Sequence, residues 1–476
     1  MGLVKYVQVA PHPAARLEQV IGAERQARLL RAADEFRARL GGRTIWNVTS
    51  TAAGGGVAEM LQVLVGYVED LGVAIGWMVI TGDAEFFEIT KRVHNQIHGQ
   101  VAGGPLGGDE ADHYAQMLAA NAVELLPRIR PGDLVLLHDP QTAGLAGALA
   151  AQGARVAWRS HIGLDWRNGA TQAAWEFLRP HLAAADGYVF SRRQYVPTWI
   201  PDHKVWIVPP SIDPFSPKNQ ELDGPTVEAI LATIGVLDGV TPDGPTAFVR
   251  SDGATGTVTR SAEINGEGRP GPADPLVVQV SRWDRLKDMP GVMMGFADHV
   301  APGGGGYLVL AGPEVSGVAD DPEGAAVFAE CLLAWRDLPA SVRARVLLVT
   351  LPLEDVDENA AMVNALQRHA AVITQKSLAE GFGLTVAEGM WKGRPVVGTE
   401  VGGITDQIAP HTGILLPDPR DGAAFGAAVR GLLDNPQRAS EMGSAARAYI
   451  RDNYVGDLHL LRYDQMFTAL MSQTAG

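Results

Sequence analysis

The sequence predicts an α/β fold made of two Rossmann-like halves that face each other across a cleft. Three observations predict it. Short apolar, β-branched runs alternate with amphipathic stretches of helical length, the pattern of parallel βαβ units. The alternation occurs twice, before and after a Pro-rich stretch at 209–217 that reads as a hinge. In the second series a buried run, Ala371-Val372-Ile373-Thr374, passes through a glycine-containing turn straight into a helix at 385–391. At 476 residues the chain is long enough for two domains, each with its own core.

The elements follow in order. Residues 14–40 are charged and helical in pattern, and 44–48 form the first core strand. A loop at 49–56 leads to a helix at about 57–70 and a strand at 73–80. Helices at 112–127, 141–151 and 171–183 alternate with strands at 133–137, 155–158 and 187–190, and a short strand at 205–208 reaches the hinge. Residues 235–275 are rich in Gly, Pro, Thr and Asp, which predicts a mobile surface excursion. The second series has strands at 276–280, 307–311, 346–351, 371–374 and 396–397, with helices at 291–300 and 325–335. Helices at 423–434, 437–453 and 458–471 close the chain.

Composition narrows the function classes. With 46% hydrophobic and 20% charged residues the chain is ordinary globular protein. A net charge of −15 argues against nucleic acid or anionic lipid as a partner, because phosphate surfaces need a basic face. Cys331 is the single cysteine, so neither an internal disulfide nor a cysteine metal site can form, which fits a reducing cytoplasm. No signal-peptide core opens the chain, and no apolar run reaches the ~18 residues of a membrane span.

Several motifs carry little chemistry. His94 and His98 lie four apart on a helix, a spacing that can hold zinc, but no HExxH glutamate and no third ligand accompany them. They read as a polar helix face. Gly54-Gly55-Gly56 lacks the Lys-Ser/Thr of a P-loop, and Glu59 stands where a dinucleotide fingerprint has its third glycine. The acidic stretch 353–359 lacks the spacing of a calcium loop and reads as a solvated loop near a nucleotide base.

The turn at 376–385 carries more. A helix N-terminus there aims backbone N–H groups and the positive end of the helix dipole at an anion. Glu380 stands before the turn, where it faces a neutral polyol or a developing cation; Glu388, a turn deeper, can accept from paired hydroxyls such as those of a ribose. A capping Glu and an exposed helical Glu are the plain alternatives. Arg282 and Lys287 leave the carboxyl end of the strand at 276–280, where open parallel sheets bind ligands. Together they suit a diphosphate.

Glu380 and Glu388, with seven residues between them, resemble the E-x7-E signature of retaining GT-B glycosyltransferases of the family 4 type. Arg282 and Lys287 resemble that group's diphosphate-binding pair. The stretch from Trp46 to Leu61, Leu137-His138-Asp139-Pro140-Gln141 and Trp158-Arg159-Ser160-His161-Ile162 look like trehalose glycosyl-transferring synthases and trehalose phosphorylases.

The resemblance implies an acceptor-binding domain over 1–212, with a C-terminal helix of about 455–474 packing back on it. It implies a donor-binding domain over 213–454. His161, Glu380, Arg282 and Lys287 are the implied catalytic residues, His161 contacting the transferred sugar near its 6-hydroxyl. Gly56, Arg282, Lys287, Gly381, Phe382, Gly383, Leu384, Thr385 and Glu388 are implied on the donor. Asn47, Gly55, His138, Asp139 and Arg159 are implied on the acceptor. His138 and His161 each follow a strand and so belong at the cleft rim, while the roles of Arg159 and Asp165 stay unseparated. Gly402-Gly403-Ile404 receives no catalytic role. The implied substrates are a nucleotide sugar and a free sugar. No cofactor or metal is required, because Arg and Lys serve the diphosphate. A homodimer is compatible with this reading. Phosphorolysis of trehalose and a different sugar acceptor stay open beside synthesis.

Overall fold

The computed structural model describes residues 2–52, 56–101, 104, 106–240, 244–315 and 322–472. The chain divides into two compact units, Met1–Ser211 with Tyr454–Gly476, and Ile212–Asn453.

The first unit holds strands β1 (Val4–Tyr6), β2 (Ile45–Thr49), β3 (Ile75–Ile80), β4 (Leu134–His138), β5 (Arg155–Ser160), β6 (Gly187–Phe190) and β7 (Val205–Ile207). They form one sheet in the order β1-β3-β2-β4-β5-β6-β7, parallel except for β1. Every residue of β4 is buried, as expected of a strand with both faces covered. The C-terminal helix, Gly456–Ser472, closes one face: Met466, Phe467 and Leu470 pack with Phe36, Leu136 and Val189.

The second unit holds β8 (Ala247–Val249), β9 (Thr255–Thr257), β10 (Glu263–Asn265), β11 (Leu276–Val280), β12 (Tyr307–Pro313), β13 (Val346–Leu351), β14 (Val372–Gln375), β15 (Val396–Thr399) and β16 (Ile414–Leu416). Its main sheet runs β10-β13-β12-β11-β14-β15-β16, parallel except for β10 at one edge. Adjacent parallel strands β11 and β14 therefore send their following loops out of the same end of the sheet. Those loops carry the residues singled out above. Among the described residues no helix is long and apolar enough to cross a membrane.

Three expectations need correction. The helix at 14–40 is broken: Gly22 adopts φ 78°, ψ 163°, outside any helical region. The excursion at 235–275 is structured. It contains the β8–β9 hairpin and the edge strand β10, and charged side chains fasten it down. Arg250 pairs with Asp355 at 2.6 Å, and Ser251 Oγ donates to Asp357 at 2.6 Å. The same contacts overturn the reading of 353–359 as a solvated loop. Asp355 caps the helix Val356–His369 by accepting from Glu358 N. Glu358 is buried and accepts from Thr259 N at 2.6 Å, Arg260 N at 2.8 Å and the Arg260 guanidinium. The acidic run is a cap and a clamp.

Candidate active site

In the second unit the loop after β11 is tied to the loop after β14. Gln279, on β11, donates to Lys287 O at 2.8 Å and accepts from Lys376 N at 3.1 Å. Leu378 N donates to Leu286 O at 2.7 Å. Asp284 accepts from Leu286 N and so turns the chain between Arg282 and Lys287. Asp288 sits in the left-handed region at φ 49°, which a non-glycine residue occupies only under constraint. The constraint is the ion pair between its carboxylate and the buried ammonium of Lys376.

This scaffold brings Lys287 Nζ to 2.5 Å from Glu380 Oε2, with Ser377 Oγ 3.4 Å from the same oxygen. Both side chains are mostly buried, at 14% and 11% exposure. The Arg282 side chain is 68% exposed, 3.3 Å from Asp284. Lys287 with Glu380, and Arg282 with Asp284, each carry no net charge, so the helix dipole supplies the surplus positive potential until an anion draws either cation from its carboxylate.

The turn itself is a close fit. Gly383 caps the helix Leu384–Trp391 at φ 81°, ψ 59°, and a Cβ there would stand 3.0 Å from Glu380 Cγ. Only glycine meets both demands without strain. Thr385 Oγ1 donates to Gln375 Oε1 at 2.9 Å. Gly403 N donates to Gly381 O at 3.2 Å, and Gln407 Nε2 donates to Phe382 O at 2.5 Å. The Gly402-Gly403 loop thus braces Gly381 and Phe382.

Glu388 lies in the interior among cations. Its Oε1 is 3.8 Å from Lys218 Nζ. Lys392, a turn later, is buried and donates to Asn219 Oδ1 at 2.9 Å. Burial drives the Lys392 ammonium well below the usual lysine range, and the Glu388 carboxylate opposes that shift.

In the first unit, β2, β4 and β5 bring Asn47, His138, Arg159 and His161 into one chain of hydrogen bonds. Asn47 Oδ1 is 3.1 Å from His138 Nε2, and His138 Nδ1 is 2.9 Å from His161 Nε2. The two rings stack with centroids 5.3 Å apart. Arg159 Nε donates to His161 Nδ1 at 3.3 Å. Asp139, at φ 61°, accepts from His161 N at 2.8 Å and fixes where the His161 backbone turns. Burial lowers His138 to about 3 and raises Asp139 to about 6. Burial, and then the Arg159 charge, hold His161 well below the usual histidine range.

Of the acceptor-side residues, Asn47, His138 and Arg159 lie deep in the first unit. His138 is an interior residue at 2% exposure, because its ring is sandwiched between Asn47 and His161. Arg159 is fully buried, with its guanidinium directed to His161, His459, Tyr463 and Val208 O. Asn47 is buried with its amide oxygen on His138. His138 and Arg159 contact His161 directly and Asn47 acts through His138, while His161 itself is partly exposed. Asp165 separates from Arg159 by pairing with Arg192 at 2.6 Å. Gly56 is exposed at the start of the helix Gly56–Asp70, and Gly55 lies outside the described residues. Sequence reasoning missed Gln279, Asp288, Lys376, Lys218, His459 and Tyr463. Only Lys376, beside the singled-out turn, carried a signal in its position.

The comparisons with known proteins agree with this architecture. The family described as "Trehalose synthase, N-terminal domain" matches residues 47–197, and "Glycosyl transferases group 1" matches residues 356–449. A trehalose synthase of Pyrococcus horikoshii is 33% identical over 454 residues, 95% of each chain. A trehalose phosphorylase of Pleurotus pulmonarius is 23% identical over 465 residues, 91% of this chain and 58% of that one. Among solved structures, a UDP-forming α,α-trehalose-phosphate synthase from Burkholderia xenovorans superposes with a TM-score of 0.66 at 16% identity, covering 91% of this chain and all of that one. Two parallel-sheet α/β units with these relatives make a GT-B glycosyltransferase, and the chain belongs to the trehalose synthase family.

Proposed function

We propose that the chain transfers glucose from a nucleoside-diphosphate glucose to free glucose, with retention, and so forms trehalose. The second unit is the donor side in this reading and the first unit the acceptor side. The observation that carries it is the pairing of Lys287 with Glu380 beside Arg282 and a helix N-terminus, at one end of one sheet. A diphosphate entering there takes the Lys287 ammonium from Glu380. The freed carboxylate then lies beside the sugar.

Retention in this reading proceeds on one face of the sugar, in the manner of family 4 type enzymes. The bond from the anomeric carbon to the diphosphate oxygen breaks as the bond to the acceptor oxygen forms. The departing diphosphate takes the acceptor's proton. Arg282 and Lys287 stabilise the charge that grows on the leaving group, and Glu380 favours the positive charge on the sugar. Glu388 would orient the ribose.

A matrix of nucleotide-glucose donors against free sugars, with products identified by NMR, tests the reading. The expected result is trehalose together with a nucleoside diphosphate. Trehalose breakdown with inorganic phosphate, and no nucleotide requirement, would favour a phosphorylase. Sequence identity supports synthesis, at 33% with the Pyrococcus horikoshii synthase against 23% with the phosphorylase.

A further inference from the structure

We propose that His459 and Tyr463, on the C-terminal helix, are positioning residues: by holding the Arg159 guanidinium they fix His161 and His138 as neutral Nε2–H tautomers. The proposal rests on the reading above only in placing His161 on the acceptor side.

A guanidinium has five N–H donors and no acceptor. Arg159 Nε reaches His161 Nδ1, so that nitrogen must offer its lone pair. The one proton of a neutral His161 is then on Nε2, which donates to His138 Nδ1 at 2.9 Å. His138 therefore carries its own proton on Nε2 and donates to Asn47 Oδ1 at 3.1 Å. The direction of every bond follows from the placement of one guanidinium.

That placement depends on the C-terminal helix. Arg159 NH1 reaches both His459 Nε2, at 3.3 Å, and the Tyr463 hydroxyl, while NH2 donates to Val208 O at 3.1 Å. His459 is fully buried, and since its Nε2 accepts from Arg159, its proton must sit on Nδ1. That buried Nδ1 meets no hydrogen-bond partner among the described residues. A leucine would fill the same space without burying an unmet donor. At that cost the imidazole offers Arg159 an acceptor nitrogen that leucine lacks.

The consequence is an imidazole that stays uncharged beside a reacting sugar. The groups facing His161 are Arg159 on β5, His138 at the end of β4, Asp139 through the His161 amide, and His459 on the C-terminal helix. Burial, and then the Arg159 charge, oppose its protonation. A neutral His161 does not repel an oxocarbenium-like centre.

Long-range 1H–15N spectra of the full chain labelled with 15N-histidine, recorded without substrate, test this directly. His138 and His161 are assigned from His138→Gln and His161→Gln. In the parent chain both rings should carry the proton on Nε2. Tyr463→Phe, which removes only a hydroxyl, and His459→Leu should each add Nδ1–H tautomer to His161. Each should also raise its titration midpoint by about one pH unit. An Nδ1–H signal for either ring in the parent chain would overturn the proposal. So would an unchanged tautomer and midpoint in folded Tyr463→Phe. Because the spectra need no turnover, a chain that fails to make trehalose would defeat the functional reading and leave this one standing.

Discussion

Replacing Lys287 by methionine should lower the rate of sugar transfer by about 100-fold or more, the loss expected when one charge-stabilising contact to a leaving group disappears. The Lys287 backbone is held by Gln279 and its ammonium meets Glu380. The single variant leaves the Glu380 carboxylate mostly buried beside Ser377 without its cation, so its melting temperature should fall as well. Adding Glu380→Gln removes that stranded charge. The double variant should regain stability and stay inactive, which separates the electrostatic role from a general loss of structure. Thermal melts and initial rates on the parent chain and the two variants check this; recovery of activity together with stability would reject the assigned role.

The second large effect is expected at Glu388. Glu388→Gln should raise the KM for the nucleotide donor by about 10- to 100-fold, since a hydrogen bond to a charged group contributes roughly 1.5–3 kcal/mol. It should change kcat much less, because the ribose is remote from the bond being broken. The same variant withdraws the carboxylate that offsets burial of Lys392, so the Lys392 ammonium, already pushed down by burial, should fall further. Donor-dependence kinetics with acceptor held saturating read the first effect. An unchanged donor KM would remove Glu388 from the ribose.

Much of this architecture was legible because fully buried parallel strands are written as unbroken apolar runs. Leu134–Leu137 and Leu276–Val280 are plain in the chain and occupy central places in their sheets. The short antiparallel edges β1 and β10 were not legible. Three residues such as Glu263–Asn265 have no periodicity to read, and their strand state comes from pairing with β13. The ordered hairpin was missed for a related reason. Arg250, Ser251 and Arg260 are fixed by Asp355, Asp357 and Glu358, about a hundred positions away, and composition carries no such partner.

The site divides in the same way. Arg282, Lys287, Glu380 and Glu388 could be singled out in the sequence because their spacing from strand ends is local. The pairing of Lys287 with Glu380 and of Glu388 with Lys218 could not, because each joins separate loops. On the other side, the sequence places His138 and His161 at the cleft rim because each follows a strand, and the resemblance alone puts Arg159 on the acceptor. The surroundings of Arg159 include His459 and Tyr463, some three hundred residues later, which only the folded C-terminal helix supplies.

The most direct test of the central claim is a crystal structure of the chain soaked with a nucleoside-diphosphate glucose. The account predicts that Lys287 Nζ leaves Glu380 and, with Arg282, contacts the diphosphate, while Glu380 turns to the glucose hydroxyls. A sugar nucleotide bound elsewhere, with the Lys287–Glu380 pair intact, would contradict it.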